Sequence, residues 1–103
     1  MKQDVFDFFR NDLGLGEEDA MPLYESFMES FRETADELRV ASPGDETTLR
    51  RITHSIIGFS QNVGALDLFE SAKTLNAAAK AGDVQGGRDG IARILALYDE
   101  YSA

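Results

Sequence analysis

Apolar side chains return every three or four residues through most of the chain, and the strict alternation of a half-buried strand is nowhere sustained. That spacing leaves packed amphipathic helices as the only economical way to bury them, so the expected class is all-α. Five helices are predicted. The first covers about residues 3–13, with Val5, Phe6, Phe9 and Leu13 on one stripe and Phe8 off it; Gly14-Leu15-Gly16 ends it, glycine being favoured just past a helix C-terminus. The second starts near Asp19, tolerates Pro22 in its first turn and runs to about Val40. Tyr24, Phe27, Phe31, Ala35 and Leu38 form its buried seam, and Glu25, Glu29, Glu33 and Asp36 lie outside.

Ser42-Pro43-Gly44-Asp45 is a turn that supplies Asp45 as the N-cap of a third helix over residues 46–62. A fourth, over 65–81, presents Leu68, Ala72, Leu75 and Ala79, and its Ala77-Ala78-Ala79 run permits close helix approach. Gly82-Asp83 separates it from a fifth, in which Val84, Gly87, Ile91, Ile94, Tyr98 and Tyr101 keep the same spacing. Gly86, Gly87 and Gly90 weaken the start of that helix by about 1 kcal/mol each relative to alanine. Short loops between amphipathic helices make sequential neighbours antiparallel. The expected architecture is an up-down four-helix bundle with a short additional N-terminal helix, and the 103 residues form a single domain around one core.

Composition narrows the chemistry. The chain has no cysteine, which removes disulfides, thiolate metal sites and thiol nucleophiles. It has one histidine, no Lys-Ser or Lys-Thr following a phosphate-cradling glycine loop, and no cluster resembling a metal site, so no cofactor or metal is expected and a turnover enzyme fits poorly. The formal charge of -9 is uneven: residues 1–46 carry 13 acidic and 4 basic side chains, whereas residues 47–103 carry 6 of each. An acidic surface repels phosphate backbones and argues against nucleic-acid binding. With no long apolar run and no basic leader, the expectation is a cytoplasmic monomer without a membrane span.

The neutral half holds the lone histidine, His54. At about 100° per residue, Leu49, Ile52, Ile56, Phe59 and Val63 centre about 180° away from it, so a third helix that packs by its apolar stripe turns His54 to solvent. On the histidine's side lie Arg50, Ile57, Gly58 and Gln61. A mid-helix glycine leaves the neighbouring imidazole unobstructed, and an isoleucine there suits a partly apolar docking surface.

His54 and Gly58, with Asn62-Val63-Gly64-Ala65, Leu68, Ala72, Leu75 and Lys80-Ala81-Gly82-Asp83, resemble the histidine-containing phosphotransfer (HPt) domains of bacterial multistep two-component relays. That family carries H-x-x-K-G, then a small-residue segment, a Gly-Ala turn and a helix ending in a Gly-Asp turn, and the likeness spans about residues 49–84. The resemblance implies a four-helix bundle and a phosphocarrier without an ATP site. His54 would accept a phosphoryl group on Nε2 from the aspartyl phosphate of a response-regulator receiver domain, such as that of a hybrid histidine kinase, and return it to a receiver aspartate. Mg²⁺ and a cationic lysine would come from the receiver.

Ile57 stands where the family has its lysine. Arg50, Lys73 and Lys80 are the candidate substitutes for holding phosphoryl oxygens, and Asn76 is the candidate for holding imidazole Nδ1. Ile57, Gly58, Gln61 and Phe8 are the candidate receiver contacts. The missing lysine also allows an alternative: a degenerate HPt-like adapter that docks a receiver without being phosphorylated. A third possibility is an interaction bundle in which His54 is incidental.

Overall fold

Three glycines with left-handed backbone, Gly14, Gly64 and Gly82, punctuate a computed structural model that describes residues 2–103. Between and beyond them run five helices: α1 (Lys2–Asp12), α2 (Glu17–Val40), α3 (Glu46–Asn62), α4 (Leu66–Ala81) and α5 (Val84–Ser102). Among the described residues there is no strand. No helix of the structure is long and apolar enough to cross a membrane.

α1 buries Val5 and Phe9 and stacks Phe6 on Tyr24 with ring centroids 5.1 Å apart. It stops at Asp12, one residue earlier than its stripe suggests. Leu13 therefore leaves the helical register and is 50% exposed, while Leu15, whose N–H donates to the Phe9 carbonyl at 2.9 Å, packs against the core instead. α2 starts two residues earlier than expected. Its N-cap, Gly16, offers no side-chain bond, but Glu17, Glu18 and Asp19 place three acids in the first turn, where the helix dipole favours them. Pro22 consequently sits in the second turn, tolerated on an exposed face where the carbonyl its missing N–H would have engaged can turn to water.

The seam of α2 is buried as its spacing predicts: Tyr24, Phe27, Phe31, Ala35 and Leu38, joined by Thr34, whose hydroxyl donates to the Phe31 carbonyl at 2.9 Å. Asp45 caps α3 by accepting from the Thr48 N–H at 3.2 Å, and hydrogen bonding from Thr48 holds its carboxyl below the usual range. Asp83 caps α5 the same way, accepting from the Gly86 N–H at 2.9 Å.

The glycines at the start of α5 are explained by close approach. A Cβ on Gly87 would lie 2.5 Å from the Pro43 carbonyl oxygen, and one on Gly90 would lie 2.9 Å from Leu75 Cδ1. The α5 seam follows the expected spacing from Gly87 through Ile91, Ile94, Tyr98 and Tyr101, and differs at one end and by one addition. Val84 is 47% exposed, and Leu97 is buried beside Ile94 and Tyr101. α2 and α4 each pack against both α3 and α5, and α1 lies on α2. Phe27, Phe31, Phe59, Tyr98 and Tyr101 form the aromatic centre of the resulting core.

Two tyrosines tie helix ends together from within. Tyr24 Oη donates to the Tyr101 carbonyl at 2.7 Å, and Tyr101 Oη donates to Asp67 Oδ1 at 2.6 Å. Burial pushes the Tyr24 phenol up to about 12; Tyr101 is raised as well, first by burial, then by its bond to Asp67 and that group's charge. A raised folded-state pKa means stability is intact below the unfolded value of about 10 and declines as pH rises through the folded value. Urea denaturation should therefore show stability falling from about pH 10 upward, with a shallower fall in Tyr101→Phe. A profile that stays flat to about pH 12, or an equal slope in the variant, would contradict this linkage.

Candidate functional site

The exposed face of α3 is set by what its other faces must bury. Leu49, Ile52 and Ile56 are fully enclosed, and Val63 nearly so, by the surrounding helices, which leaves His54 exposed on the opposite side. His54 makes no hydrogen bond or ion pair with any described residue. It lies in a shallow depression with Glu46, Thr47, Arg50, Arg51, Ser55, Ile57 and, from α4, Asn76.

Ile57 occupies a different position from the exposed one its helical angle suggests: it is half-buried and packed against the core. α3 is flanked by α2 on one side and α4 on the other, so its buried arc is wider than one stripe. Thr53 lies in the same widened arc. It is fully buried, and its hydroxyl donates to the Arg50 carbonyl at 3.1 Å and approaches Asn76 Oδ1 at 3.3 Å. Asn76 is thus engaged by Thr53 across the α3–α4 seam, and no hydrogen bond joins it to the imidazole.

Of the candidate cations, Arg50 alone lines the depression. Its guanidinium reaches Glu46 at 3.3 Å, an exposed i,i+4 pair worth about 0–1 kcal/mol, so a stronger anion could draw it away at little cost. Arg51, one turn before His54, pairs with Glu37 of α2 at 2.6 Å. Thr47 and Arg51, which stand seven and three residues before the histidine, share its side of α3 by helical register, although neither is among the site residues expected from the sequence. Lys73 holds its ammonium 5.2 Å above the Phe69 ring. Lys80 is exposed; both lysines are within about one turn of Asn76 on α4 but outside the depression.

Gln61 is exposed two turns along α3 from His54. Phe8 is elsewhere. It is half-buried against the α3–α4 turn, where a Cβ on Gly64 would meet its ring at 2.6 Å. That places it near the far end of α3, about 15 Å along the helix axis from the histidine.

Gly58 differs from every other glycine inside a helix. The three in α5 would each drive a Cβ into a neighbour, whereas a Cβ on Gly58 meets nothing within 4 Å. Internal packing therefore gives no reason for a residue that costs about 1 kcal/mol in mid-helix. Gly58→Ala should raise thermal stability by about that amount, and an unchanged or lowered melting temperature would show an intramolecular need that the geometry lacks.

Among the described residues no group of three or more histidine, cysteine, aspartate or glutamate side chains could hold a metal. The site offers an accessible imidazole, an adjacent guanidinium on a weak tether and an open helical face. No family model, curated protein or solved structure matches the chain.

Proposed function

We propose that the chain is a histidine phosphocarrier of the HPt type, an up-down four-helix bundle of α2 to α5 with α1 laid against it. The observation that carries this reading is His54 exposed without a partner among the described residues, one turn from a glycine that leaves the same helical face open to an approaching second molecule. The closed circuit of contacts among α2, α3, α4 and α5 supports the bundle. In transfer, the Nε2 lone pair attacks the phosphorus of a receiver aspartyl phosphate. The N–P bond forms as the P–O bond to the aspartate breaks, the carboxylate departs with that electron pair, and the imidazole retains its Nδ1 proton.

Imidazole suits the task because it offers a neutral nitrogen nucleophile near neutral pH. Positioning and charge stabilisation supply the catalysis, with Mg²⁺ and a lysine from the receiver and Arg50 from this chain. The protein is then a cytoplasmic monomer with no turnover of its own. The test is transfer from a phosphorylated receiver, read as a gain of one phosphoryl group by intact mass.

A second reading has its own support: Ile57 supplies no charge where the family has lysine, and Arg50 is paired with Glu46. On that reading the same face docks a receiver without accepting phosphate. Receiver binding without any mass gain would select the adapter.

A further inference from the structure

A second surface lies on the other side of α3. Where α1 ends against α2 and the last turns of α3, a groove is lined by Phe9, Leu13, Leu23, Phe27, Phe59 and Val63, with Ser26, Ser30 and Asn62 along its lip. Leu13 and Leu23 are 50% and 44% exposed at its mouth, which is costly for two leucines that no described residue covers. Phe59 and Val63 point away from His54 on the helix wheel, so the groove and the histidine face different directions.

Charge identifies the occupant. The surrounding half of the chain carries the whole net charge of -9. Asp12 adjoins Leu13, Asp19 precedes Leu23 by one turn, and Glu29 and Glu33 stand one turn beyond Ser26 and Ser30. All four are exposed and, among the described residues, none has an ion-pair partner; no basic side chain lines the groove. A second copy of this chain would bring the same acids against these. We infer that the groove docks a cationic amphipathic segment of a partner protein, seating one or two large apolar side chains between Leu13 and Leu23 while its lysines or arginines meet the acidic rim.

The probe is a short synthetic peptide with leucines on one helical face and lysines on the other, titrated into the isotopically labelled full chain and followed by backbone amide shifts. Saturable shifts are expected at Leu13, Leu23, Ser26, Phe59 and Asn62, weakening with salt. Leu23→Asp should reduce affinity at least about tenfold while His54→Gln leaves it unchanged. The aspartate adds negative charge, so attraction by charge alone would instead strengthen binding. Equal binding of a control with serine in place of leucine, unchanged binding by Leu23→Asp, or shifts centred on the His54 depression would overturn the proposal. So would concentration-dependent dimerisation abolished by Leu23→Asp, which would make a second copy the occupant.

Discussion

Uptake of a phosphoryl group from a phosphorylated receiver is expected to vanish in His54→Gln, with no residual labelling elsewhere on the chain. There is no second histidine and no cysteine to take over the nucleophile's part. Glutamine keeps a polar side chain of similar reach but has no basic ring nitrogen, so the variant removes the chemistry and little else. Because His54 is exposed and unpartnered, stability should move by no more than about 0.5 kcal/mol, and receiver affinity should change little. The measurement is intact mass before and after incubation with the phosphorylated receiver, with acid treatment to show the lability of a phosphoramidate. Equal phosphate gain in the variant would place the acceptor elsewhere and end the phosphohistidine reading.

Phe31→Ala should be the most destabilising single truncation considered for this fold, at about 3–5 kcal/mol out of the roughly 5–15 kcal/mol that holds a domain together. Phe31 is fully buried, and its ring meets those of Phe27, Phe59, Tyr98 and Tyr101, the nearest centroid 5.1 Å away in an edge-on arrangement with Tyr98. Those partners come from α2, α3 and α5, so the cavity opens where three helices meet and none can collapse into it alone. Urea denaturation should show the loss in midpoint at little change in slope, and the melting temperature should fall by more than about 10 °C. Val40→Ala, at a largely exposed position, should shift stability by less than about 0.5 kcal/mol. A Phe31→Ala loss no larger than that of Val40→Ala would mean the aromatic centre is not the core.

The residues that were legible share a property: their placement depends on local sequence alone. The seam from Tyr24 to Leu38 and the outward turn of His54 follow from spacing within one segment, because an α-helix repeats every 3.6 residues wherever it sits, and the Asp45 cap follows from the turn chemistry just before its helix. Ile57, Leu13 and Phe8 were less legible. Ile57 is half-buried because α4 covers the flank of α3 on which it lies; Leu13 is exposed because α1 ends one residue early and Leu15 takes the core position; Phe8 rests on Gly64 at the α3–α4 turn. The outcomes at Ile57 and Phe8 are decided by neighbours distant in sequence, and that at Leu13 by where its own helix stops.

By itself, then, the sequence determined an all-helical chain, the register of its apolar seams, the uneven charge and the solvent-facing histidine, since each is a property of local periodicity or composition. Only the tertiary structure decided that Arg50 and Arg51, and neither Lys73 nor Lys80, share the depression with His54, that Asn76 is engaged by Thr53, why the α5 glycines are small, and that Gly58 has no internal packing reason to be. Those depend on how close two helices come and on the rotation of each about its axis. Such relations are fixed by interdigitating side chains from separate segments, and no single helix's pattern contains them.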